Sequence, residues 1–290
     1  MLKIILWCWC LLISSILYAQ PIKVATSDWA VAETLQAMGH APVAVGDKKA
    51  YQYWVGKPSL SDMTLDSGVR LQPNMELLWQ VKPQIFINTP FYNSIATQLE
   101  SIAPVHQVQL MGTQGYNWIT LSQGVRDIGV LVHDSVAAET LIQQTITSLQ
   151  HNKQRLIGHK KIDRPILMVQ FVDNRHLRVY ARNSLYQLVL DQLGLQNAWQ
   201  YNGNVWGSET IPLTALNTLP ADTLLIIIQP YPKYIIRQIQ NSALWQRLPM
   251  MQNGHYLILA PSWSFGSMPS MVRFGQQLTD ALLKGQGEQW

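Results

Sequence analysis

One stretch of this chain limits its architecture more than any other. From Ser135 to Ile157 there is neither glycine nor proline. Ala137, Leu141, Thr145, Ile146, Leu149 and Leu156 recur near the spacing of one helical face. His133-Asp134-Ser135 punctuates its start and Gly158 its end. The spacing predicts a helix of about 22 residues, which at 1.5 Å per residue spans about 33 Å. That is long for a globular helix and suits a connector between two lobes.

The flanks of this segment read alike. Before it, short apolar runs alternate with helical patterns. Ile22 to Ala25, Pro42 to Gly46, Gln84 to Asn88 and Pro104 to Val108 read as strands. Ala30 to Met38 reads as a helix capped by Ser27-Asp28 and stopped by Gly39. Asn74 caps a second helix that Lys82-Pro83 breaks, and Ile95 to Ile102 forms a third. Lys57 to Gly68 reads as a loop, and Thr120 to Leu131 as a further helix. After the long segment the outline repeats: strands at Pro165 to Val169, Leu224 to Ile228 and His255 to Leu259, helices at Leu185 to Gln192 and Asn241 to Leu248. The prediction is an α/β fold, two α/β lobes joined by a single long helix. Its boundaries are a signal peptide at 1–19, an N-terminal lobe at 20–132, the connecting helix at 133–160 and a C-terminal lobe at 161–290.

The signal peptide rests on Lys3, the short apolar stretch Ile4 to Leu17 and the small residue Ala19. That stretch is shorter than the roughly 20 residues of a membrane span, and no second long apolar run follows. The expectation is therefore export to the periplasm with no membrane span in the mature chain. Cys8 and Cys10 both fall inside the signal, leaving the mature chain without disulfide or thiolate. The 21 basic residues are scattered, which argues against a nucleic-acid partner.

Catalytic patterns are absent. There is no GxSxG, GxxxxGK[ST], HExxH or GxGxxG, no two histidines stand at metal-ligand spacing, and the 17 acidic residues form no close dyad. The expectation is no enzyme, no intrinsic cofactor and no protein-held metal. Aromatics are the stronger signal, with 11 Trp and 11 Tyr. Tyr51, Tyr53, Trp54, Tyr92, Trp206, Trp263 and Phe265 fall in expected loops, where aromatics at strand ends line ligand clefts. Packing of loops on the sheets is the commoner role of any single one. Arg70, just before the helix capped by Asn74, is either a solvated charge or a fork of donors aimed at an anionic or carbonyl-rich ligand.

At these positions the chain resembles the class III periplasmic binding proteins, within them the branch that binds ferric hydroxamate, ferrichrome-type siderophores. The matching segments run in order through the mature chain. They include Val45-Gly46-Asp47 with Tyr53-Trp54-Val55, Gly68-Val69-Arg70 with Pro73 to Leu78, Ile102-Ala103-Pro104, Arg175-His176, Asn183-Ser184-Leu185, Asn197 to Gln200 and Asn204 to Ser208. The resemblance implies a shallow cleft between the lobes in which Arg70 and Tyr92 hydrogen-bond the hydroxamate oxygens around iron. It matches Trp54, Trp206 and Trp263 to cleft aromatics, and Asn204 and Ser208 to polar cleft positions of the second lobe. Phe265 stands where the family has Tyr. A one-residue gap beside Tyr92 leaves Phe91 as an alternative counterpart.

The implied ligand is an iron(III)-hydroxamate siderophore complex, with the iron held by the siderophore. The implied partner is an ABC permease in the inner membrane, and the protein is expected to be monomeric. The family's permease-docking acid near Thr97 is missing. Glu100 is the nearest substitute, with Glu209 or Asp222 on the second lobe. A corrinoid such as vitamin B12, haem or a catecholate siderophore remain alternative cargoes on the same fold. Catecholate complexes are strongly anionic, and Arg70 is the one basic residue at a matching cleft position. A free-metal carrier and a secreted enzyme are the more distant alternatives.

Overall fold

A computed structural model describes residues 21–157 and 164–285. The expected signal peptide and the junction after the long helix lie outside these residues. The first half contains β1 (Val24–Thr26), α1 (Trp29–Ala37), β2 (Ala44–Val45), α2 (Lys48–Trp54), β3 (Leu65–Asp66), β4 (Gly68–Val69), β5 (Gln72–Pro73) and α3 (Met75–Val81). It continues through β6 (Ile85–Asn88), α4 (Asn93–Glu100), β7 (Val105–Gln107) and α5 (Trp118–Leu131). The connector is α6 (Ser135–Leu156). The second half holds β8 (Ile166–Phe171), β9 (His176–Tyr180), α7 (Leu185–Leu193), β10 (Ser208–Pro212) and β11 (Leu224–Ile228). It ends with α8 (Lys233–Gln240), α9 (Ala243–Arg247), α10 (Pro249–Gln252), β12 (Tyr256–Leu259) and α11 (Met268–Lys284).

Each half builds one five-stranded sheet. The first has the order β3-β2-β1-β6-β7 with every pairing parallel. The second has the order β10-β9-β8-β11-β12, in which β8, β11 and β12 are parallel while β9 runs antiparallel to both its neighbours, β8 and β10. The central strands are buried on both faces, which explains their continuous apolar runs. Period-two alternation then divides them between two cores. Val24, Ile85 and Ile87 face one cluster while Ala25 and Phe86 face another. In the second sheet Ile166, Met168, Ile226 and Ile228 face that same first cluster, and Leu167, Val169, Leu225 and Ile227 face away from it.

The first cluster is therefore common to both halves. Ala138, Leu141, Ile142, Leu149 and Leu156 of α6 enter it, as do Met268, Met271, Phe274 and Leu278 of α11. The helices α6 and α11 approach closely at Gly275, where a Cβ would lie 2.7 Å from Leu149 Cδ2. The connector is packed along its length into one continuous core, which makes it a strut rather than a tether.

Two expectations need correction, and one helix was not foreseen. Tyr51, Tyr53 and Trp54 are not in a loop but in α2. That helix is too short to be stable alone and is held by tertiary packing: Tyr51 is fully buried beside Trp29, and its hydroxyl donates to the Pro58 carbonyl at 2.8 Å. The helix expected at Asn241 to Leu248 is found as α9, and α8 before it is a further helix that the sequence reading did not include. The Lys57 to Gly68 loop contains β3, an edge strand of only two residues.

Candidate functional site

The parallel strands of the first sheet end on one side, and their following loops converge there, as in open α/β sheets generally. Asp28 follows β1, Gly46 and Asp47 follow β2, Thr89 to Tyr92 follow β6, and Gln109 to Met111 follow β7. Arg70 occupies the turn of the β4–β5 hairpin. From the second half, Arg178 of β9, Val205 and Trp206 before β10, and Trp263 and Phe265 after β12 face these loops. Between them lies a cleft of about 680 Å³.

Arg70 is the most constrained group in it. Its backbone N–H donates to Asp47 Oδ2 at 3.2 Å, and its Nε lies 3.6 Å from the same oxygen. Its Nη1 donates to the Tyr92 hydroxyl at 3.1 Å. The guanidinium carbon stands 3.9 Å over the Trp29 ring, a cation–π contact that holds the fork in one plane. Trp29 is itself fixed by its indole N–H donating to the Gly46 carbonyl at 2.8 Å. Gly46 has to be glycine here, because a Cβ would meet Arg70 Cγ at 2.9 Å.

Asp28 caps α1 by accepting from the Ala30 N–H at 2.8 Å, and it accepts from the Thr89 hydroxyl at 2.5 Å. Burial raises its pKa, against the pull of those hydrogen bonds and of Arg70. Burial also lifts the Tyr92 hydroxyl well above the ordinary phenol range, so it stays a neutral donor and acceptor.

The apolar wall is a chain of edge-to-face rings, the preferred geometry for such quadrupoles. Trp29 meets Trp263 at 5.0 Å, Trp263 meets Phe265 at 5.3 Å, and Phe265 meets Trp206 at 5.6 Å. Trp206 meets Phe91 at 5.1 Å, and Phe91 meets Tyr92 at 5.1 Å. The chain crosses between the halves twice, at Trp29–Trp263 and at Phe91–Trp206.

Of the residues expected from sequence, Arg70, Tyr92, Trp206, Trp263 and Phe265 line this cleft. Phe91 lines it too, beside Tyr92 rather than in place of it. Trp54 stands one layer back, its ring 6.1 Å from Trp263. Asn204 and Ser208 do not line the cleft. Asn204 Oδ1 accepts from the Trp206 N–H at 2.9 Å and closes the turn that presents Trp206. Ser208 is buried at the start of β10, opposite Tyr180. Glu100 ends α4 and Glu209 lies on β10, both exposed and neither in the cleft.

Sequence reasoning missed Asp28, Thr89, Gln109, Met111, Tyr116 and Arg178. The first three follow strands that were predicted, so the strand-end rule would have found them. Arg178 lies on β9, the second strand of a local hairpin with β8, a strand that the sequence reading did not include. It makes Arg70 one of two cleft cations, not the only one. The described residues contain no group of three His, Cys, Asp or Glu side chains placed to hold a metal ion, and no helix among them is long and apolar enough to cross a membrane.

The chain is 29% identical over 263 residues to the iron(3+)-hydroxamate-binding protein FhuD of Escherichia coli, covering 90% of this chain and 87% of that protein. Its fold superposes on the Vibrio cholerae siderophore-binding protein FhuD solved with Fe3+-Desferal, with TM-score 0.85, 22% identity, and 91% and 98% of the two chains covered. It also matches the triscatecholate siderophore-binding protein FeuA of Bacillus subtilis, solved with ferri-bacillibactin, at TM-score 0.70 and 14% identity, with 91% and 92% covered. The model of one family, the periplasmic binding proteins, matches residues 24–262, and the chain belongs to that family.

Proposed function

We propose that this protein captures iron(III)-hydroxamate siderophore complexes in the periplasm and delivers them to an ABC importer of the inner membrane. The observation that carries the reading is the Arg70–Tyr92 pair, joined at 3.1 Å on the floor of an aromatic-walled cleft. In a ferric hydroxamate the siderophore fills the metal's coordination sphere and leaves partly anionic oxygens facing outward. A guanidinium meets such oxygens with charge-assisted bonds at any physiological pH. Rigid rings contact the siderophore backbone at little entropic cost. The iron travels as cargo and needs no protein ligand.

The working division is 20–132 and 161–290 as lobes, with 133–160 as the connector and 1–19 as a signal peptide. Glu100 and Glu209, one on each half, serve as the permease contacts, and the protein acts as a monomer without enzymatic activity. The shared core around α6 favours small closure movements over wide hinge opening.

The experiment is a tryptophan-fluorescence titration of the mature protein with ferrichrome, a ferrioxamine and vitamin B12, beside Arg70→Ala. Quenching by the ferric hydroxamates at low micromolar concentration, weakened about tenfold or more in the variant, is the expected result. Quenching by vitamin B12 alone overturns the cargo while keeping the fold.

A further inference from the structure

The charged side chains lining the cleft are Asp28, Arg70 and Arg178. They differ in how far they are already balanced. Arg70 has Asp47 beside it at 3.6 Å. Asp28 is enclosed, and its two oxygens are taken up by the Ala30 N–H and the Thr89 hydroxyl. Arg178 forms no ion pair among the described residues. It lies on β9, on the face opposite Leu177 and Val179, which are fully buried. Its neighbours are uncharged: the Phe265 ring, 5.7 Å from the guanidinium carbon, and the hydroxyl of Tyr180. The adjoining residue across β8 is Gln170, whose amide is taken up by Tyr180 and the Pro230 carbonyl.

Three hydroxamates neutralise iron(III) completely, so a plain ferric trihydroxamate brings no charge to the cleft. The Arg70–Tyr92 pair already faces such a centre. A second, unpaired cation on the opposite wall is surplus to it. We propose that Arg178 forms an anion subsite on the C-terminal wall of the cleft, selecting ferric hydroxamates that carry a pendant carboxylate. The proposal rests on the hydroxamate reading above. Arg178 is the one cleft cation with no ion pair among the described residues, which suits a singly anionic complex. It does not suit a tris-catecholate complex, whose three negative charges would remain largely uncompensated.

The test uses one iron centre at three charges. Ferrioxamine B carries a free ammonium and is +1. Its N-acetyl derivative is neutral, and its N-succinyl derivative is −1. Coulomb attraction over about 5 Å in a water-exposed cleft predicts about fourfold in affinity per charge step, so about fifteenfold from ammonium to succinyl. The ladder should flatten with added salt. In Arg178→Gln the ratio between succinyl and ammonium complexes should collapse to within about twofold, whereas Arg178→Lys should keep it. Melting curves of both variants establish that they fold.

Equal binding of the three complexes by the unmodified protein overturns the subsite and leaves the hydroxamate reading intact. So does a ladder that survives in Arg178→Gln. Tighter binding of a ferric tris-catecholate than of the succinyl complex overturns the single-charge assignment. Failure of all three complexes to bind removes the hydroxamate reading itself, and the subsite with it.

Discussion

Glu33 of α1 accepts a 2.6 Å hydrogen bond from the hydroxyl of Ser270, 237 residues further along the chain in α11. Its other oxygen accepts from the Ser267 N–H at 2.5 Å. The first helix of the protein thereby caps its last one, occupying backbone donors that a helix N-terminus leaves open. Both residues are fully buried. The pair locks the two halves together directly behind the aromatic wall, since Gly266, next to Ser267, also accepts from the Tyr116 hydroxyl at 3.0 Å.

Burial pushes the Glu33 carboxyl up to about 8 from an ordinary 4.5, against the pull of Ser270 and Ser267. Between those two values the folded chain holds a proton that the unfolded chain releases. Its contribution is complete below the lower value and is lost as pH rises toward the upper one. The melting midpoint should therefore fall between pH 5 and pH 8 by about 4 °C more in the unmodified protein than in Glu33→Gln. Matched slopes in the two proteins sink the idea. A slope of opposite sign means that the α11 N-terminus outweighs burial.

Asn183 should behave as a structural hub. Its Nδ2 donates to the carbonyls of Gln114 at 2.8 Å and Asn204 at 2.9 Å, and its Oδ1 accepts from the Gly203 N–H at 2.9 Å. Its own carbonyl accepts from the Tyr116 N–H at 2.9 Å. It ties the cleft floor of the first half to the turn bearing Trp206. Asn183→Ala should cost about 2 kcal/mol in urea unfolding. Gly115→Ala should also destabilise, because φ is +113° there and a Cβ would strike the Asn183 carbonyl.

Trp206 and Trp54 should separate binding from packing. Trp206→Ala removes a ring that faces the cleft and should weaken siderophore affinity about tenfold to thirtyfold. Trp54→Ala removes one that supports Trp263 from behind. It should lower the melting temperature while changing affinity less than about threefold. Calorimetric titration beside thermal melts of each variant distinguishes them, and equal affinity losses would restore Trp54 to the cleft.

Tyr92→Phe isolates one hydroxyl. The ring is buried and its contact with Phe91 is retained, so folding should change little. Affinity should fall about fivefold as Arg70 loses its partner and the ligand loses a donor. An unchanged dissociation constant in the same fluorescence titration argues that Phe91, not Tyr92, is the contact that matters.

Much of this was legible in the sequence because each helix and each buried strand writes its own burial into a local period. Asn74 and Gly39 mark helix ends as read, and Asn74 does accept from the Leu77 N–H. Arg70 and the aromatics stood out as residue types that loops need for binding and not for folding. Trp54 was read as a loop residue because α2, at seven residues, is too short to show a helical period and is held by the burial of Tyr51. Asn204 and Ser208 were carried over from the resemblance; here Asn204 closes the turn that presents Trp206 and Ser208 is buried at the start of β10.

The sequence by itself determined two α/β halves, the long connector and the presence of an aromatic, singly basic set of loop residues, since these depend on short-range periodicity and composition. Only the tertiary structure decided that β10 extends the second sheet beyond β9, that Arg178 and Arg70 line one cleft, and that Glu33 caps α11. Those outcomes depend on which distant surfaces bury one another. Free energy gained between residues far apart in the chain leaves no periodic trace in either segment alone.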